Sequence, residues 1–109
     1  MSTPDKRTLA ANLLLERVEL KRDITQLKAD LTRRADAFIK LGNLLRSSPH
    51  VVSMDDQQMP PDHAARAQKF TSEDFDSKRI ATLVGELRTK GDRLIAVEQE
   101  IRGMGYSPE

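Results

Sequence analysis

An apolar residue returns every three, four or seven positions through most of the first half of this chain. The stripe runs Leu13, Leu20, Ile24, Leu27, Leu31, Phe38, Leu41 and Leu45. On a helix this spacing keeps one narrow side apolar, the pattern of a helix packed lengthwise against another. A shorter stripe follows near the other end: Ile80, Leu83, Leu87, Leu94, Val97, Ile101 and Met104. Charged residues make up 32% of the chain, above the ~25% of an average globular protein. Only Phe38, Phe70, Phe75 and Tyr106 are aromatic. Long helices with a thin seam satisfy these numbers better than a deep core does.

The start and stop signals agree with two long helices. Thr3 is placed to cap the first helix, Pro4 to occupy its first turn, and Asp5 to face the positive end of the helix dipole. No further proline occurs before Pro49, so this helix is expected over residues 4–46. Pro49, Pro60 and Pro61 exclude a continuous helix through residues 47–70, read as a flexible connection. Val51 and Val52 make too short a run to predict a strand. Pro61 is placed to start a brief helical turn. Phe70 and Phe75 flank Thr71 at the spacing of a hydrophobic staple, which predicts a second helix over 72–102 with Thr71 as its cap. Gly103 and Gly105 then stop it, leaving a tail at 103–109.

The expected fold is therefore all-α. It is a single helical-hairpin domain over 1–109, of antiparallel coiled-coil type, dimerising into a four-helix bundle. The intra-hairpin seam comprises Leu20, Ile24, Leu27, Leu31, Phe38, Leu41, Ile80, Leu83, Leu87, Leu94, Val97 and Ile101. One antiparallel register brings Leu20 to Ile101, Leu27 to Leu94, Phe38 to Leu83 and Leu41 to Ile80. Arg17, Arg34 and Lys90 interrupt the seam, with stems packed and charged heads reaching water. The same register pairs Lys21 with Glu98 and Asp30 with Arg93 but sets Asp23 near Glu100. A parallel self-pair of the first helix would instead match Glu16 with Lys21 and Asp23 with Lys28, so charge alone leaves the pairing open.

Several apolar residues fall off the seam: Leu9, Leu14, Leu15 and Val18 near one end, Ile39 and Leu44 further along. With Leu13 they form the candidate interface for a second copy or another helical protein. Burial against a membrane surface explains residues 9–18 less well, since few cations flank them. Met54 and Met59 read as ordinary loop residues.

No catalytic constellation is present. The chain has no cysteine, which removes thiolate nucleophiles and Cys-bound zinc and fits a reducing compartment. No glycine-rich phosphate loop occurs, and no Ser or Thr has a recognisable His partner in sequence. His50 and His63, with Asp55, Asp56 and Asp62, lie in the connection and read as a solvated polar loop. No metal, no cofactor and no enzymatic activity are expected.

Residues 1–50 carry ten Lys/Arg and six Asp/Glu; residues 51–109 carry eight and eleven. Basic pairs at Lys21-Arg22, Arg33-Arg34 and Lys78-Arg79 admit a second reading, a nucleic-acid-associated protein that lays its first helix along phosphates. Acidic neighbours one turn away and the lack of interleaved aromatics favour the first reading, a non-catalytic scaffold, adaptor or assembly protein. The polar N-terminal residues and the absence of a run approaching the ~20 apolar residues of a membrane span lead to the expectation of a cytoplasmic protein.

Overall fold

A computed structural model describes residues 5–107. Most of them are helical. The order is α1 (Lys6–Ser47), a 3-10 turn (Pro49–Val51), β1 (Val52–Met54), α2 (Pro61–Ala64), β2 (Gln68–Phe70), a second 3-10 turn (Ser72–Phe75) and α3 (Ser77–Gly103). The long N-terminal helix and the C-terminal helix agree with the two stripes. The proposed roles of Thr3 and Pro4 lie outside the described residues. Within them, Asp5 caps α1: its carboxylate accepts the Thr8 N–H at 2.8 Å and its carbonyl accepts the Leu9 N–H at 3.1 Å. That bond holds the Asp5 carboxyl below its usual range.

The start of α3 departs from expectation. Thr71 makes no side-chain capping bond, and residues 72–75 form a 3-10 turn instead of the first turn of an α-helix. The cap is Asp76, whose carboxylate accepts the N–H groups of Lys78 and Arg79 at 2.9 and 3.2 Å. A tertiary bond and the local Asp76 cap coincide there. Arg34 donates to the Glu73 carbonyl at 2.6 Å, and that carbonyl also accepts the Asp76 N–H rather than a bond from one residue further on. At the other end the glycine signals hold. Gly105 has φ +87°, the Tyr106 N–H reaches the Ile101 carbonyl, and the Gly105 N–H reaches that of Arg102. This is a Schellman closure.

The chain separates into two compact units. The first joins α1 as far as Lys28 to α3 from Leu83 onward. Its core is Leu20, Val97 and Ile101, with Leu13, Leu14 and Leu94 packed against them. Leu83 and Ala10 are also buried. Leu20 and Ile101 thus share one buried cluster. The charges pair differently. Glu98 takes Arg17 at 3.1 Å, a turn earlier than Lys21, and Lys90 takes Asp23 at 3.1 Å. Arg93 grips Glu16 with two bonds of 2.6 and 2.8 Å, rather than Asp30. Long Arg and Lys stems reach along the helices, so a residue's height on a straight seam does not fix its partner.

The second unit is Ala29–Thr82. Here the expectation of no sheet is wrong. β1 and β2 pair in parallel, with Val52 opposite Gln68, Ser53 opposite Lys69 and Met54 opposite Phe70. Parallel strands need a crossover of about a dozen residues, and residues 55–67, with α2 inside them, supply it. The helical turn expected at Pro61 is present as α2. Val51, Ser53 and Phe70 are buried, and the Ser53 hydroxyl donates to the Gln57 carbonyl at 3.0 Å. Asp55 and Asp56 both adopt left-handed backbone, φ 51° and 60°, which Asp tolerates better than most residues. The chain turns there, and the Asp55 carboxylate accepts the Ser72 N–H at 2.7 Å.

Candidate interaction surface

The residues expected to face a partner fall into a packed set and an exposed set. Leu13 and Leu14 are half-buried and belong to the packing around Leu20. Leu44 is half-buried too. Leu15, Val18 and Ile39 are exposed, at 59%, 61% and 63%, and Leu9 is exposed to a lesser degree. With 3.6 residues per turn, Leu15 and Val18 lie about 140–160° around α1 from Leu20. They are therefore on the side of the helix turned from its own core. Ala11, Leu15 and Val18 recur at steps of four and three, so this side is a second, shorter apolar stripe.

The charged groups nearest the first unit's core are committed internally. Arg93 draws the Glu16 carboxyl below its usual range, and Glu16 in turn raises Arg93. Arg17 and Glu98 are largely covered by their own pairing. Lys21, on the same stretch of α1, is exposed and has no ion pair among the described residues. Between residues 11 and 21, α1 exposes Leu15 and Val18 together with Asn12, Glu19 and Lys21.

In the second unit the seam residues are less covered. Phe38 remains 46% exposed although its ring meets Phe75 edge-on at 4.8 Å. Phe75 lies 6.1 Å from Phe70, so the staple pair does meet, but around a 3-10 turn. Leu45 is exposed, while Leu31, Leu41 and Ile80 are half-buried. Arg34, expected to send its head to water, is buried with 4% of its surface exposed. It donates to Asp30 at 3.0 Å and to the Glu73 carbonyl. Arg33 reaches Asp74 at 2.6 Å and Asp30 at 3.1 Å. Arg34 first, then Arg33, holds the Asp30 carboxyl low. The carbonyl that completes the arginine's bonding lies 39 residues away in sequence, so no local pattern announces it.

The remaining polar groups show little chemistry. The hydroxyls of Thr25, Ser47 and Thr82 donate to backbone carbonyls one turn earlier in their helices. Among the described residues no buried side-chain polar atom lacks a hydrogen-bond partner, and no three His, Asp or Glu side chains converge as a metal-binding group. Among them, too, no helix is long and apolar enough to cross a membrane. No protein-family model, curated protein or solved structure matches the chain.

Proposed function

We propose that this chain is a non-catalytic scaffold, adaptor or assembly protein that acts through helix–helix contacts. In this reading α1 and α3 pack antiparallel in the first unit, in coiled-coil fashion. A second copy then lies on the outer stripe of α1 to make a four-helix bundle. The observation that carries it is the exposure of Leu15 and Val18 on the side of α1 turned from Leu20. Aliphatic side chains at helical spacing, uncovered on a helix whose opposite side is packed, mark an association surface. The pairs Glu16–Arg93, Arg17–Glu98 and Asp23–Lys90 support the antiparallel arrangement, because ascending positions in α1 are matched largely by descending positions in α3. A cytoplasmic setting belongs to the same reading and rests on the cysteine-free sequence.

The nucleic-acid reading loses ground to the ion pairs. Arg17, Arg33, Arg34, Lys90 and Arg93 each hold a carboxylate. Binding to generic DNA or RNA at low salt that falls steeply as salt rises would restore it.

The direct test is light scattering across a dilution series, for the wild type and for Leu15→Lys. Leu15 suits this purpose better than Leu14, which packs on the core. The wild type should be dimeric or larger, and the substitution should shift it toward monomer with its helix content kept. A wild type that stays monomeric at every concentration would refute self-association and turn the same surface toward another helical protein.

A further inference from the structure

His50 and His63 are thirteen positions apart in a segment whose sequence resembles a solvated loop. The structure brings their rings together, with centroids 5.2 Å apart and planes inclined at 63°. Each residue is held by its own piece of backbone. His50 sits in the 3-10 turn, directly after Pro49, with the Val51 N–H bonded to the Ser48 carbonyl at 3.2 Å. His63 sits in α2 behind Pro60 and Pro61, with its N–H bonded to the Pro60 carbonyl at 2.9 Å. The prolines restrict φ on both sides of the pair, so the imidazoles are carried on constrained backbone. The two elements also pack on one another. Neither ring hydrogen-bonds to the protein among the described residues, which leaves the ring nitrogens available. His50 is exposed and His63 half-buried, so the pair is open to solvent ions.

We propose that His50 and His63 form a two-imidazole site for a divalent transition cation of the zinc type. A zinc–imidazole bond is about 2.0–2.1 Å, and the ring centroid lies about 1.1 Å beyond the bound nitrogen. Two imidazoles at a tetrahedral angle on one ion then have centroids about 5.1 Å apart, whereas a right angle, as in octahedral coordination, gives about 4.5 Å. The observed 5.2 Å lies within reach of one such ion. Neutral imidazole is a ligand suited to zinc, copper and nickel, and not to calcium or magnesium. No third carboxylate or imidazole converges among the described residues, so water completes the coordination and the ion exchanges readily. Bound there, it ties the 3-10 turn to α2 and closes the segment that contains β1.

The same spacing falls within ordinary edge-to-face ring packing, about 4.5–7 Å, and the experiment separates the two. Zinc chloride is titrated into the full chain, with any affinity tag removed, and followed by calorimetry and by the nitrogen resonances of the imidazoles. The proposal expects one equivalent bound, both rings shifting together, and at least a tenfold loss of affinity in His50→Ala and in His63→Ala. His50 is exposed, so circular dichroism should show the fold of His50→Ala unchanged. Zinc should raise the thermal midpoint of the wild type and leave that of His50→Ala where it was. No binding, a shift confined to one ring, or unchanged affinity in either variant would overturn the site and leave a ring contact only.

Discussion

The two units cover the same kind of surface by different means. In the first, the stripe of α1 meets aliphatic residues of α3, and Leu20, Val97 and Ile101 are buried together. Ion pairs flank that core. In the second, the stripe continues through Leu31, Phe38 and Leu41, but a short parallel sheet, a 3-10 turn and an aromatic contact share the unit with it. A buried arginine, not an aliphatic residue, holds the turn at 72–75 to α1. One heptad pattern, interrupted at Arg17 and Arg34, therefore specifies that a side of the helix be covered. It does not specify with what.

The contrast can be broken by deleting side chains from each unit. Ile101→Ala empties a fully buried position in the first unit and should cost about 2–5 kcal/mol in urea unfolding. Phe38→Ala removes a larger side chain from the second unit but should cost less, about 1–2 kcal/mol, because nearly half of it already faces water. Equal losses from the two would mean that the second unit is packed as tightly as the first.

Second in size to Ile101→Ala is Arg34→Met. It keeps much of the stem and removes the bonds to Asp30 and to the Glu73 carbonyl, for an expected loss of about 1.5–3 kcal/mol. Hydrogen exchange should localise the effect, with amides at 72–76 opening faster and those around Leu20 and Val97 little changed. Uniform acceleration across the chain would show that the units do not open separately.

A smaller effect tests which residue caps α3. Asp76→Ala should cost about 1 kcal/mol, whereas Thr71→Ala should stay within about 0.5 kcal/mol. The reverse ranking, read from thermal melts, would favour a helix that begins at residue 72.

The smallest expected effect near neutrality is that of pH, since exposed pairs contribute little. The carboxyls of Glu16, in the first unit, and of Asp30 and Asp55, in the second, are all held low in the folded chain. A depressed carboxyl favours the fold above its unfolded value, near 4, and loses that contribution as pH falls through its folded value. Urea midpoints should be flat from pH 8 to 5 and fall below about pH 4. Glu16→Gln should flatten the acid limb for the first unit, and Asp30→Asn for the second. An acid limb unchanged in both would mean that other carboxylates govern it.

The long helices and the glycine stop that closes α3 at Gly105 could be read from the sequence alone. They depend on local backbone preference and on a periodicity that repeats over many turns, so each signal is reinforced by its neighbours. The tertiary structure decided what depends on distant residues. Two strands of three residues carry no readable alternation, and each exists through pairing with the other. Thr71 looked like a cap because its local sequence is right, yet Arg34 bonds the carbonyl of Glu73 in a 3-10 turn and α3 begins at Ser77 with Asp76 as its cap. The ring contact between His50 and His63 arises because a 3-10 turn and α2 fold together. Local signals compete at a cost of about 1 kcal/mol each, and a charge-assisted bond from across the fold is of comparable size or larger.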